Sequence, residues 1–309
     1  MISFFHEPVL LEEVIAALQP KVERVYVDGT VGGGGHAEAI LESTVPSGRL
    51  VAFDRDDWAI DATAKRLARF SGRLELHREA FSGLNNHLAK ESCDGALLDL
   101  GVSSPQFDEG ERGFSFQVDG PLDMRMDRRQ LVSAVQLVNE LETTELARIF
   151  WELGGERRSR RIARFLVEQR RMKRFETTMQ LADAVEQACP RRGSRTHPAT
   201  SVFQALRMAV NDELEQVRKG LDAVWSVLKP GGRLVVISFH SGEDRLVKQF
   251  SRRLARPYIV RGGVDVPDLR EPCEPLAREL NRKAIRPSET ELKRNPRCRS
   301  ARLRALEKC

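Results

Sequence analysis

From Arg24 to His36 the chain reads Arg-Val-Tyr-Val-Asp and then Gly-Thr-Val-Gly-Gly-Gly-Gly-His. Valine and tyrosine favour an extended strand, whereas five glycines within residues 29–35 suit neither a helix nor a strand interior. The run therefore predicts a strand, a tight loop and a helix that begins near His36. That order opens a βαβ unit whose loop faces a ligand. The downstream pattern continues it. Val9–Leu18 reads as an amphipathic helix, and Arg49–Asp54, Arg73–His77 and Gly95–Leu100 read as strands. Asp57–Phe70 reads as a helix, with Ile60, Ala64 and Leu67 at helical spacing. Strands alternating with helices predict an α/β fold, a Rossmann-like and mostly parallel sheet covered on both faces.

From about Asp108 to Pro198 no comparable strand occurs. Helical stretches fall near Leu131–Asn139, Glu142–Trp151, Arg157–Arg171 and Met179–Ala188. The expected organisation is a first α/β part at 1–108, a helical insertion at 109–198 that recognises the substrate, and a second α/β part at 199–309. The second part starts with an apolar stripe at Phe203, Leu206, Val210, Leu214, Val217, Leu221, Val224 and Leu228, which predicts one unbroken helix. Lys229-Pro-Gly-Gly232 ends it, Arg233–Phe239 reads as a buried strand, and Ser241 suits the N-cap of a following helix.

Two acids sharpen the glycine loop. Asp28 sits at the tip of the first strand, where a pyrophosphate would be repelled and a cationic ligand favoured. Asp54 ends the next strand, twenty positions after Gly34, the spacing of a carboxylate that accepts from ribose hydroxyls. No GxxxxGK[ST] is present, which removes the P-loop reading. S-adenosyl-L-methionine carries a sulfonium, an ammonium and an adenosine but no phosphate, and so fits both acids. In an open parallel sheet the cleft lies beyond the carboxyl ends of the strands, so Asp99, Ser103, Ser104 and the loop to Gln106 are expected to face it. His240, just past a later strand, is a candidate base or substrate holder.

Composition bounds the remaining classes. The 309 residues are 41% hydrophobic, enough for a full core, and no apolar run approaches the ~20 residues of a membrane helix. Glu7, Glu12 and Glu13 interrupt the N-terminal apolar stretch, which argues against a signal peptide. The five cysteines form no CxxC pair, so neither a metal site nor a disulfide framework is supported, as expected of a cytoplasmic protein. Lys and Arg total 50 against 45 Asp and Glu, a net charge of +5, and they cluster. From Asn281 onward ten Lys or Arg face three Glu; further groups are 157–174 and Pro190–Arg195. Solvated helix faces would explain such runs, but three of them favour a polyanionic partner.

Several blocks then carry a resemblance across nearly the whole chain. They include His6-Glu-Pro-Val-Leu-Leu11, Asp28–His36, Asp99-Leu-Gly-Val-Ser-Ser-Pro-Gln106, Arg112-Gly-Phe-Ser-Phe116 and Asp119-Gly-Pro-Leu-Asp-Met-Arg-Met126. His197–Thr200, Pro230–Arg233, Ile237–Ser241 and Asn295–Ser300 add to them. In these the chain resembles the MraW family of bacterial 16S rRNA (cytosine-N4)-methyltransferases. The resemblance implies a class I S-adenosylmethionine-dependent methyltransferase fold with an inserted helical domain. The implied reaction is methylation of the exocyclic N4 amine of a cytidine in 16S rRNA of the small ribosomal subunit. By position it implies cofactor contacts at Gly34, Gly35, His36, Asp54, Phe81, Asp99 and Gln106. No membrane partner is implied, and the oligomeric state stays open, a dimer being one alternative. Two departures stand out: Gly242 precedes the two acids where the family pattern has Leu, and the glycine run is longer than the pattern.

The N4 lone pair of cytosine is delocalised into the ring, so catalysis needs acceptors for the NH2 group and an in-line approach to the methyl. The Asp/Asn/Ser-Pro-Pro-aromatic tetrapeptide of other amino-methyltransferases is absent, and Asp99-Leu-Gly-Val stands in its place. Asp99, a carbonyl near Ser103–Pro105, and His240 are the candidate acceptors. The target base must leave its stack, and the insertion and basic C-terminal segment are expected to hold RNA backbone. A dinucleotide-dependent oxidoreductase would explain the glycines and Asp54 but not Asp28. A DNA methyltransferase lacks its tetrapeptide here, and a non-enzymatic assembly factor leaves the three aspartates unexplained.

Overall fold

The computed structural model describes residues 8–101, 104–191, 193, 197–260 and 265–309. The chain divides into two compact units, residues 1–101 with 214–309, and residues 102–213.

The first unit is built on a seven-stranded sheet. Its strands are β1 (Val25–Asp28), β2 (Arg49–Phe53), β3 (Leu74–His77), β4 (Cys93–Asp99), β5 (Leu228–Ser238), β6 (Ala277–Glu279) and β7 (Arg302–Lys308). They lie in the order β3-β2-β1-β4-β5-β7-β6. The first five run parallel, and β7 is antiparallel to both neighbours. Residues alternate between the two faces along each central strand. Leu98, Leu234 and Val236 pack on one face with Val217, Leu221, Val247 and Phe250. Leu97, Val235 and Ile237 pack on the other with Val14, Leu18, Ile40 and Leu41. A sheet buried on both sides reads as a continuous apolar run, as Arg233–Phe239 does. The fold is the predicted Rossmann-like, class I methyltransferase arrangement. On one face lie α1 (Leu11–Leu18) and α2 (Gly35–Ser43). The unit also holds α3 (Asp57–Arg66), and a 3-10 turn at Ala68–Phe70 takes up the rest of the helix predicted to Phe70.

The second unit is helical: α4 (Ser104–Asp108), α5 (Ala134–Glu140), α6 (Thr143–Glu152), α7 (Ser159–Met172), α8 (Thr178–Ala188) and α9 (Ala199–Val210). Its core gathers Leu146, Phe150, Ile162, Leu166, Leu181, Val185 and Leu206. Capping boxes start three of the helices, Ser133 with Gln136, Glu142 with Glu145 and Thr177 with Gln180, so α5 begins later than Leu131. The block Asp119–Met126 is a packing device of this unit. Leu122 and Met124 are fully buried, and Asp119 Oδ1 accepts the Met179 amide at the start of α8.

The boundary before the second α/β part lies elsewhere than the apolar stripe predicts. The stripe is two helices, α9 and α10 (Glu213–Val227), broken at Asn211 and Asp212. Asp212 is left-handed at φ 49°. The fully buried Asn211 accepts the Met126 amide and donates to the carbonyls of Met124 and Arg207. Hydrogen bonds to the backbone compete with the helix ladder and end it. Apolar spacing runs through the break because residues on both sides are buried, α9 in the helical unit and α10 on the sheet. The helical unit therefore takes in residues 102–108 and α9, beyond the 109–198 expected.

After β5 comes α11 (Ser241–Leu254), then a two-stranded ribbon of Tyr258–Val260 with Arg270–Pro272, and α12 (Glu289–Arg294) between β6 and β7. The N-cap of α11 is His240 and not Ser241. The basic C-terminal segment is folded into the sheet, with Leu303, Ala305 and Leu306 of β7 buried. No helix among the described residues is long and apolar enough to cross a membrane.

Asn211→Ala strands a buried amide and two carbonyls. The expected loss is about 2–3 kcal/mol, read as a lower urea midpoint with faster exchange of the Met126 amide; an unchanged midpoint would contradict this account of the break.

Candidate functional site

The site is assembled at the carboxyl ends of β1, β2, β4 and β5. Parallel strands deliver Asp28 and Asp99 to this edge, and Asp54 follows β2 directly. Thr30 ties two of the tips together. Its amide donates to Asp28 Oδ1 at 3.1 Å, and its hydroxyl accepts the Asp99 amide at 2.6 Å. Asp54 braces the glycine loop, accepting from the Gly32 amide at 3.0 Å and the Asp56 amide at 2.9 Å. Thr63 Oγ1 donates to the Gly32 carbonyl from α3.

Three glycines of the loop are constrained, Gly32 by its φ of +50°. Gly34 has φ +78° and caps α2, with Thr63 3.0 Å from where a Cβ would stand. At Gly29 a Cβ would come within 2.4 Å of Leu98 and 2.9 Å of Phe81. Gly33 is constrained by neither, since a Cβ there meets nothing within 4 Å. The departure from the family pattern falls on Gly32, which follows Val31 and has the left-handed backbone that favours glycine. Gly35 is the first residue of α2, against Pro8. Phe81 lies half-buried between Gly29 and Gly220 of α10, where a Cβ would stand 2.0 Å from its ring.

The electrostatics are unusual for a cleft. Asp28 is 1% exposed, and no Lys or Arg among the described residues pairs with it. Burial pushes its carboxyl up to about 7, with Asp54 adding to the rise and the Thr30 amide opposing it. Asp54 is pushed up to about 6 by burial, against its two amide donors. Asp99 lies well above the carboxylate range, through burial first and then the charges of Asp28 and Glu243. Its Oδ1 is buried without a hydrogen-bond partner among the described residues. Its Oδ2 stands 3.7 Å from His36 Nδ1. His36 Nε2 faces the Val9 carbonyl at 2.9 Å; a carbonyl only accepts, so that nitrogen carries the proton. A neutral His36 therefore turns a lone pair toward Asp99. Asp28 and Asp99 have no guanidinium or ammonium partner among the described residues, while the Arg55 charge partly offsets Asp54.

His240 is otherwise engaged. Its Nδ1 accepts the amides of Gly242 at 3.2 Å and Glu243 at 3.4 Å, capping α11. Nε2 therefore bears the proton of the neutral ring and lies 3.0 Å from Glu243 Oε1, outside hydrogen-bond alignment. Neither nitrogen offers a lone pair to a substrate. Glu243 is 1% exposed and its Oε2 accepts the Phe239 amide at 2.8 Å. The sequence reading passed over Thr30, Thr63 and Glu243. Glu243 had a signal, since it lies three residues after the cap, the spacing of a capping box. Gln106 is buried on α4 of the helical unit. Ser103 lies outside the described residues, as do Glu7, Arg192 and Arg195.

The chain matches the MraW methylase family over residues 3–309. Two curated relatives are both named "Ribosomal RNA small subunit methyltransferase H". That of Symbiobacterium thermophilum is 48% identical over 311 residues, covering 99% of this chain and 97% of that protein. That of Geotalea uraniireducens is 49% identical over 317 residues, covering all of both.

The raised Asp28 gives a signed pH effect. Unfolded, the carboxyl loses its proton near 3.8; folded, it keeps it to about 7. The native state binds more protons in that window, so this group lowers stability as pH rises from about 4 to 7. Without ligand, Asp28→Asn should melt several degrees higher than the parent at pH 8 and alike at pH 4. Equal shifts at both pH values would refute the assignment.

Proposed function

The chain belongs to the MraW methylase family, and from that premise we propose that it methylates the N4 amine of a cytidine in 16S rRNA, with S-adenosyl-L-methionine as donor. One observation carries the donor: three carboxyls, Asp28, Asp54 and Asp99, gather beside a glycine loop, and among the described residues no Lys or Arg pairs with Asp28 or Asp99. A pyrophosphate would be repelled from that lining, whereas a donor bearing a sulfonium and an ammonium satisfies it. The names of relatives nearly half identical over full length support small-subunit rRNA as acceptor. The cytosine N4 position follows from the resemblance in the sequence. A ribosomal substrate implies a cytoplasmic reaction.

When bound, S-adenosyl-L-methionine supplies a methyl group on positively charged sulfur. The chain must hold that group and bring N4 to about 3–3.5 Å in line with it. In this reading Gly34, Gly35 and His36 bound the methionine side of the pocket. Asp54 accepts from the ribose, and Phe81 lies along the adenine. Asp99 is the acceptor for the target amine. Its Oδ1 has no hydrogen-bond partner among the described residues, so an N4 hydrogen can be bound without breaking a bond of the fold. Transfer of the methyl from sulfur, which would leave as the neutral thioether, would make N4 cationic. N4 then gives up a proton. A carboxylate whose affinity for protons is raised by burial, by Asp28 and by Glu243 suits taking it. His36 Nδ1, 3.7 Å away, offers the next acceptor. His240 is set aside because its Nδ1 caps α11. Gln106 joins the cofactor contacts by resemblance alone.

The reading is tested by transfer of tritiated methyl to small subunits lacking the modification, with mass analysis of the released nucleosides. Label in N4-methylcytidine is expected; label in another nucleoside, or none, refutes it. For Asp99→Asn, kcat should fall about 100-fold or more while the donor still binds in calorimetry. Full-rate turnover by that variant would remove Asp99 from the role.

A further inference from the structure

On the sheet unit a cavity of about 460 Å³ lies between α11, β7 and the segment before α12. Seven Lys and Arg side chains line it against one acid, Asp244. Asp244 is already committed, to Arg302 at 2.9 Å and Arg304 at 2.8 Å. It fixes those two guanidinium groups from neighbouring positions of one strand face. Lys248 and Arg252 on α11 and Arg282 and Arg286 on the facing segment have no ion pair among the described residues. Convergent cations repel one another, and the lining holds no carboxylate besides Asp244 to offset them. Arg302 and Arg304 are held as a preorganised fork, the geometry that suits phosphate oxygens. The cavity also has a definite position. Glu243, whose charge acts on Asp99, is the residue before Asp244 on the first turn of α11.

We propose that this cavity binds phosphates of the RNA strand next to the methylated base, and so holds the substrate in register with the cleft. The proposal rests on the reading of the chain as an rRNA methyltransferase. It differs from a diffuse basic surface in its parts. Two cations from α11, outside the basic C-terminal run, act with residues of that run, and Asp244 acts through Arg302 and Arg304 as a positioning residue.

The test uses the full chain with Lys248→Gln and Arg286→Gln combined, neither residue being part of the candidate active site. A labelled 16S rRNA fragment is titrated at several salt concentrations, and methyl transfer is followed in parallel. The affinity for RNA should fall about tenfold or more, and the log–log salt dependence should become shallower by about 0.7 for each single-strand phosphate no longer neutralised. The KM for RNA should rise while kcat, melting temperature and S-adenosyl-L-methionine affinity stay near the parent values. Unchanged RNA affinity and salt dependence overturn the proposal. Should the pair fail to fold, Arg282→Gln, exposed and without an ion pair among the described residues, answers the same question. Absence of methyl transfer by the parent with weakened RNA binding by the variant would instead sink the methyltransferase reading and leave the cavity standing.

Discussion

Thr30 is the joint on which the site depends. Two residues after the strand tip, its amide anchors the Asp28 carboxylate and its hydroxyl receives the Asp99 amide from the adjacent strand. Two strands that are distant in sequence thus present their acids at a fixed spacing. The joint sets a shared electrostatic cost. Asp54 raises the proton affinity of Asp28, Asp28 raises that of Asp99, and neither Asp28 nor Asp99 is relieved by a Lys or Arg. A fold optimised for stability alone would place an arginine or an asparagine here. Retaining uncompensated acids is the kind of strain that makes sense where a cationic ligand completes the structure.

Much of this was legible in the sequence, and the part that was not has identifiable causes. The strand–glycine–helix order, the acid at each strand tip and the buried run at 233–239 all follow from local chemistry. Burial on both faces of a parallel sheet leaves little ambiguity in such runs. The break at Asn211 was hidden because helical periodicity reports which residues are buried, not what they are buried against. Asn211 sits between two apolar stretches, and its role comes from a carbonyl and an amide of a segment some 85 residues earlier. The capping role of His240 was hidden for a related reason. A histidine after a strand suggests reactivity, but three residues on, Glu243 completes a cap in which the ring nitrogen is an acceptor for amides.

One block that carries the family resemblance, Asp119–Met126, is architectural. Its leucine and methionine fill the helical core, and its first aspartate starts α8. Sequence specificity can therefore arise from packing as readily as from chemistry. The basic C-terminal run divides in the same way. Lys308 closes on the Leu228 carbonyl, Arg302 and Arg304 are bound by Asp244, and Arg282 and Arg286 have no ion pair among the described residues.

The interruption of the sheet by a whole helical unit has a consequence for how the chain matures on its own ribosome. β4 pairs with β5 from Cys93 to Asp99, yet about 130 residues separate the end of one from the start of the other. At ordinary translation rates of ~5–20 residues per second, the inner edge of β4 waits roughly 6–26 s for its neighbour. The helical segment, contiguous and rich in local contacts, can form during that interval. The nascent half-sheet meanwhile carries an open apolar edge at its centre, the point where a chaperone or a misplaced strand would first engage.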